Sequence, residues 1–294
     1  TSREPAATGS LRIPESATTG SGARFMSLSA ILFLFLTHLG IGIAWTLILV
    51  PRSAGVKFFR FNAGLVVAIL VVGMAFRPDL AVLGGVASGT AFITLVVATG
   101  AFLIYWATIG RVMAVLRRGL LWVGLAAGAV TLIAQAVAVS SSLAMASTVL
   151  AIASFLSSAA LLGGSCTAMI LGHWYLVLPS MDVTHLQSMV KFHIGSIIVR
   201  IMVVSVAVWL AISGWEPGLE SNFQRYVLSS AGVFFWQRVL FGLLGPAVLS
   251  YLTWETAKIR STQSATGILY VDFFTVIVGE ILAKYLYLLT SVAV

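Results

Sequence analysis

Long runs of apolar residues, separated by short polar interruptions, make up most of the chain. Dividing the chain at those interruptions leaves eight segments, each about long enough for an α-helix to cross the hydrocarbon core of a bilayer. The predicted spans are 25–50, 58–76, 80–110, 119–139, 143–178, 190–213, 226–254 and 266–294. The pattern therefore predicts an all-α polytopic membrane protein with eight transmembrane helices.

The N-terminal residues and the fifth apolar segment differ from the rest of this pattern. Residues 1–24 are rich in Ser, Thr, Gly and Ala and lack an apolar run, so we expect a disordered tail ahead of a single transmembrane domain at 25–294. The fifth segment is too long for one perpendicular span, and we expect it to tilt, protrude or break, with Gly163-Gly164 as the place for a bend. Its many small residues favour close helix packing and a central position.

Composition excludes an ordinary soluble domain. The chain is 60% hydrophobic and only 9% charged, with a mean hydropathy of +1.05. A net charge of +8 is compatible with nucleic-acid binding, but the basic residues fall in short gaps between the apolar segments, where orientation in a bilayer explains them. We therefore expect contact with a lipid bilayer and no nucleic acid.

The distribution of cations predicts how the helices are oriented. Nine lie in the first, third, fifth and seventh connections: Arg52, Lys57, Arg60, Arg111, Arg117, Arg118, Lys191, Lys258 and Arg260. Five lie in the tail and the other connections: Arg3, Arg12, Arg24, Arg77 and Arg225. The positive-inside rule then predicts that both termini lie outside the cytoplasm. We expect the membrane to be the cytoplasmic (inner) membrane.

Several ionisable residues fall inside the predicted helices. His38, Arg200, Arg238 and Glu280 each lie roughly ten to fourteen residues from a predicted helix end, which places all four near mid-membrane. A charge at that depth is costly, so such side chains face the protein interior and find partners. We therefore expect these four residues to converge.

Two interpretations of these residues remain open. Arg238 and Glu280 could form a buried ion pair that locks the last two helices, with Lys284 sharing the carboxylate. With His38 and Arg200 added, the same group could bind the headgroup of a ligand or relay protons. His38 alone could instead be a core histidine bonded within its own helix.

Asp272 is a second acid within the last helix. It precedes Glu280 by eight residues, a spacing at which the two carboxylates look towards a related face, so a proton path between them is one interpretation. The other is an interfacial carboxylate near Lys191 or Lys258.

Histidines near the junction of the fifth and sixth helices suggest a b-type haem. Such a haem needs two imidazoles at similar depth on facing helices, and His173 with His193 satisfies the depth requirement. His173 also fits an aromatic belt at the membrane interface, and no metal-type spacing supports zinc. Cys166 is the single cysteine, which excludes an internal disulfide and an iron–sulfur cluster held by this chain alone.

The last two helices resemble those of DmsC- and NrfD-type membrane subunits, the quinol-interacting anchors of iron–sulfur and molybdenum oxidoreductases. The resemblance rests on the Gly279-Glu280 pair with a basic residue one turn later, and on Arg238 after an aromatic run. The chain has Lys284 where the family pattern has arginine. The number of helices also fits, while the specific motifs are confined to the last third of the chain.

The resemblance implies two packed four-helix bundles, a quinone pocket (for menaquinone or ubiquinone) in the outer half of the membrane, and docking of an iron–sulfur subunit with a larger catalytic subunit. In the NrfD-like branch a histidine of the first helix lies at the quinone, and His38 is the matching position. His38 would then accept a proton from quinol, with Glu280 as a secondary acceptor and Arg200 and Arg238 beside the pocket. The alternatives are a b-haem electron-transfer subunit and a proton-coupled transporter.

Overall fold

The computed structural model describes residues 28–78, 86–110, 114–140, 143–177, 182–213 and 222–294. Within those ranges every regular element is a helix. The helices are α1 (Leu28–Thr46), α2 (Gly55–Ala75), α3 (Val86–Thr108), α4 (Ala114–Ser140), α5 (Met145–Val177), α6 (Thr184–Ser213), α7 (Asn222–Leu228), α8 (Val233–Val239), α9 (Gly245–Lys258) and α10 (Thr262–Thr290). Short 3₁₀ turns precede α2 and α8, and a π-helical segment, Leu240–Leu244, joins α8 to α9.

Eight helical stretches among the described residues are long and apolar enough to cross a membrane. They are α1 to α6, the continuous α8–π–α9 stretch and α10. Large apolar side chains such as Ile93, Trp209 and Phe274 remain more than 60% exposed on the outer surface, as expected for helices whose outer faces contact lipid. The predicted all-α polytopic fold is confirmed.

The helices pack as two groups of four. In the first, α1 to α4 contact one another in ring order, and in the second the ring order is α5, α6, α8–π–α9 and α10. The two groups meet mainly where α1 packs along α5, with further contacts from α4 to α5 and from α1 to α10. Helices α1 and α5 are accordingly the most central, and α5 buries most of its length.

The fifth span has no break at Gly163-Gly164, where we expected a bend. Helix α5 is continuous through both glycines. The two glycines are used for packing instead. A Cβ at Gly163 would overlap the backbone carbonyl of Gly42, so the backbones of α1 and α5 touch at this crossing. At 33 residues, or roughly 50 Å, α5 is longer than the hydrocarbon core is thick and must tilt or protrude.

The seventh span differs from the uninterrupted helix predicted over 226–254. The short helix α7 and a 3₁₀ turn precede it, and the spanning stretch begins at Val233. Inside the stretch, Pro246 has no N–H to donate and its ring crowds the preceding turn, and the π-helical segment Leu240–Leu244 lies directly before it. Arg238 precedes this irregular segment by two residues.

Candidate functional site

Glu280 on α10 is the centre of a buried polar cluster. Its carboxylate is fully buried and contacts three cations from three helices. Oε1 accepts hydrogen bonds from Arg200 Nε and Arg238 Nη2, each 3.0 Å away, and Oε2 accepts one from Lys284 Nζ at 2.8 Å. A carboxylate surrounded in this way is held in its ionised, acceptor-only form.

Ser158 on α5 connects this cluster to His38. The Ser158 hydroxyl donates to Glu280 Oε2 at 2.5 Å, and it accepts a hydrogen bond from Lys284 Nζ. On its other side, Ser158 Oγ lies 3.1 Å from His38 Nδ1. His38 is fully buried, and its ring packs edge-on against Phe155 with the ring centroids 4.7 Å apart.

The hydrogen-bond inventory of Ser158 fixes the tautomer of His38. A serine hydroxyl has one hydrogen to donate, and here that hydrogen points to the ionised Glu280. The contact with His38 Nδ1 can then be a hydrogen bond only if Nδ1 carries the hydrogen and donates it. In the neutral ring this leaves His38 Nε2 as an acceptor, and Nε2 has no hydrogen-bond partner in the described part of the chain.

At two places where helices cross, glycine residues let the backbones touch, and this determines which side chains of the cluster lie next to each other. Gly42, one turn after His38, packs against Ala159 and Gly163 of α5, which brings the histidine alongside Ser158. Gly242 in the π-helical segment packs against Gly279, the neighbour of Glu280, and a Cβ at Gly242 would overlap Arg238 Nη1. Close backbone contact therefore brings His38 within hydrogen-bonding reach of Ser158, and Arg238 within reach of Glu280.

Positive charge exceeds negative charge in this cluster. Arg200, Arg238 and Lys284 are each at most 4% exposed and contact one described acidic side chain, Glu280, which leaves a formal surplus of two positive charges. Arg200 Nη1 also donates to Ser154 Oγ at 2.6 Å, and its Nη2 lies 3.4 Å from the Val294 carbonyl oxygen.

A second buried pair, His193 and Asp272, lies on α6 and α10, the helices that carry Arg200 and Glu280. His193 Nε2 on α6 is 2.8 Å from Asp272 Oδ2 on α10, and both side chains are fully buried. The two atoms are in close polar contact without regular hydrogen-bond geometry. His193 precedes Arg200 by seven residues, and Asp272 precedes Glu280 by eight. The two carboxylates are therefore about 12 Å apart along α10.

The contacts of Asp272 do not fit the second of its two interpretations, an interfacial carboxylate near Lys191 or Lys258. Its expected interfacial partners are engaged elsewhere, because Lys258 pairs with Glu255 at 2.7 Å and Lys191 lies over the Trp254 ring. Asp272 faces the protein interior, where its contact with His193 limits the cost of burying a carboxylate.

The two histidines considered for haem lie on different sides of α10. His173 is exposed, and its Nδ1 is 3.2 Å from the hydroxyl of Tyr270, while His193 contacts Asp272. Positions two residues apart on a helix point about 200° from each other. Ligation of one haem by His173 and His193 would therefore require both imidazoles to leave these partners. His185, the remaining histidine, bonds to Ser53 at 2.9 Å.

The structure brings together the four side chains that were expected to converge: His38, Arg200, Arg238 and Glu280. It also shows Lys284 sharing the carboxylate. Sequence reasoning missed Ser158 and Ser154, because serines in a transmembrane helix are usually packing residues and nothing in their spacing marks them. The sequence also contains an acidic and aromatic segment at 214–220, which could be a docking surface for a partner or a plain solvated turn, and it lies outside the described residues.

No cluster of three or more metal-ligating side chains occurs in the part of the chain that the structure describes. Comparison with known proteins gives no match to a family model, a curated protein or a solved structure.

Proposed function

We propose that this chain is the quinone-interacting membrane subunit of an oxidoreductase complex in a cytoplasmic (inner) membrane. The observation that carries the proposal is the buried chain His38–Ser158–Glu280, which presents an unpartnered imidazole nitrogen at mid-membrane. Oxidation of quinol to quinone releases two protons and two electrons, so it needs a proton acceptor and an electron acceptor. His38 Nε2 can accept the protons one at a time, and the first must leave the imidazole before the second is accepted.

The protein supplies a base whose orientation is fixed. With Nδ1–H directed at Ser158, the lone pair of His38 Nε2 is free to accept a proton from a ligand hydroxyl. The surplus positive charge of the cluster stabilises the anion that remains when such a hydroxyl loses its proton, and it repels a protonated His38, so the imidazole would pass the proton on rather than keep it. Glu280 acts better as a fixed counter-charge than as a second proton acceptor, because its three cationic partners favour the carboxylate.

Electrons require a partner. With Cys166 as its single cysteine, the chain cannot hold an iron–sulfur cluster on its own thiolates. We therefore propose that an iron–sulfur subunit, itself bound to a larger catalytic subunit, exchanges electrons with the quinone. We take the termini to lie outside the cytoplasm, as the positive-inside count predicts. His38 lies ten residues from the start of α1, which would then be the outer end of that helix.

The variant His38→Asn tests the proposal most directly. An asparagine amide can take the place of Nδ1–H and keep the contact with Ser158, but it offers no basic nitrogen at the position of Nε2. Quinol-linked turnover of the purified complex should fall about 100-fold or more, as expected for loss of a general base, while assembly is retained. His185→Asn is the matched control and should be active. Full turnover in His38→Asn would refute the role of His38.

The buried His193–Asp272 pair favours a second candidate, proton-coupled transport. A titratable pair inside the membrane is a common feature of proton pathways, and several of its polar atoms have no hydrogen-bond partner among the described residues. In proteoliposomes containing this chain alone, proton uptake that is lost in Asp272→Asn would favour the transporter. Co-purification with iron–sulfur and larger catalytic subunits would favour the quinone subunit.

A further inference from the structure

A cavity lies away from the His38 cluster, at the end of the first bundle where α1 and α2 connect and α4 begins. It has a volume of about 590 Å³ and lies between α1, α2, α3 and α4. Leu47 on its wall follows His38 by nine residues, or roughly 14 Å along the helix. The two sites are therefore separate.

Three guanidinium groups line this cavity. Arg52 follows the end of α1, and Arg117 and Arg118 lie in the first turns of α4. None of the lining residues is acidic, so the described wall of the cavity holds three positive charges and no negative one. The space therefore suits an anionic group.

The remainder of the wall is apolar and aromatic. Phe59, Tyr105 and Leu121 form its deeper part, and Tyr105 is 7% exposed. At the mouth, Ile48, Val56 and Trp122 are 46%, 55% and 56% exposed, and they continue into the apolar outer surface of the bundle. A ligand that satisfies both parts of the wall has an anionic head and an apolar tail.

We propose that this cavity binds an anionic phospholipid, with the phosphate against Arg52, Arg117 and Arg118 and an acyl chain along the apolar mouth. Basic pockets between transmembrane helices at the cytoplasmic side are suited to such headgroups. The lipid would connect α1 and α2 to α4 where few side chains fill the space between them. A quinone is a poorer fit, because it has no negative charge to pair with three arginines.

Native mass spectrometry of the full chain, released from phosphatidylcholine bilayers that contain a minor fraction of phosphatidylglycerol, tests the proposal. We expect wild type to retain phosphatidylglycerol preferentially. Removing two charges in Arg117→Gln/Arg118→Gln should weaken that retention about 30-fold, at the usual contribution per charge near a membrane. Lys57→Gln/Arg60→Gln is the matched control, since it removes the same charge from exposed positions at the same end that do not line the cavity. Equal losses in both double variants would overturn the proposal.

Two further measurements address the form of the ligand. Ile48→Trp fills the mouth without changing any charge, and it should also reduce retention while a thermal unfolding scan shows that the protein remains folded. Inorganic phosphate and glycerol phosphate should compete poorly, because they lack the acyl chain. Displacement of the lipid by millimolar phosphate, or equal retention of phosphatidylcholine, would show that the cavity is not a site for anionic phospholipid.

Discussion

His38 and Glu280 are joined through a single hydroxyl group. Ser158 Oγ lies 3.1 Å from His38 Nδ1 and 2.5 Å from Glu280 Oε2, so one side chain of α5 links a residue of α1 to a residue of α10. The link crosses the boundary between the two four-helix groups. Loss of the hydroxyl would separate the proposed base from its carboxylate without removing either.

Ser158→Ala should reduce function while the protein still folds. Glu280 keeps its three cationic partners, so the free energy of unfolding should fall by about 1–3 kcal/mol, the cost of leaving the buried His38 Nδ1–H without its partner. His38 loses the partner that fixes its tautomer, so quinol-linked turnover should fall about tenfold or more. Ser157→Ala is the control, because among the described residues that neighbouring hydroxyl bonds to the Ser154 carbonyl of its own helix. Comparable turnover in the two variants would argue against the link.

Glu280→Gln should be severely destabilising. The substitution leaves three buried cations without their carboxylate, and breaking such a network costs about 3–5 kcal/mol. The yield of folded protein and its midpoint of thermal unfolding are the measurements. Glu255→Gln, which breaks the exposed pair with Lys258, should cost less than about 1 kcal/mol. Equal thermal stability of the two variants would show that the buried ion network does not stabilise the fold.

Gly163→Ala should loosen the junction of the two helix groups. A Cβ at this position overlaps the Gly42 backbone, which cannot rotate away, so α1 and α5 must separate at a cost of about 1–3 kcal/mol or more. Gly195→Ala on α6 is the control, because its Cβ meets nothing within 4 Å and alanine is the better helix former. Thermal unfolding should distinguish them. Equal stability of the two variants would contradict the close crossing.

The stability of the first turn of α6 should depend on pH. The backbone N–H of Thr184 donates to Asp182 Oδ1 at 3.0 Å, and hydrogen bonds from Thr184 hold the pKa of Asp182 below its usual value of 3.8. Because the folded pKa is the lower one, the stabilising effect is complete above the unfolded pKa and is lost as the pH falls through the folded pKa.

Amide hydrogen exchange at the first turn of α6 measures this effect. Acidification should increase local opening in wild type but not in Asp182→Asn, which keeps an acceptor and does not titrate. An identical acid response in both proteins would show that Asp182 does not control this helix end.

The apolar pattern alone determined that the chain forms eight membrane-spanning helices, because a bilayer accepts only segments of that length whose backbone groups bond internally. It also placed His38, Arg200, Arg238 and Glu280 at a common depth, since rise per residue converts position in a helix into depth. The cost of a buried charge then implied that they meet.

Tertiary structure decided which atoms meet, because depth says nothing about the direction in which a helix face points. The Gly42–Gly163 crossing aligned Ser158 with His38, a relationship that neither helix encodes by itself. The rotation of α10 against α6 turned Asp272 inward to His193 instead of towards the membrane interface. Both outcomes depend on how closely two backbones approach and at what rotation, and many residues from several helices fix those quantities together.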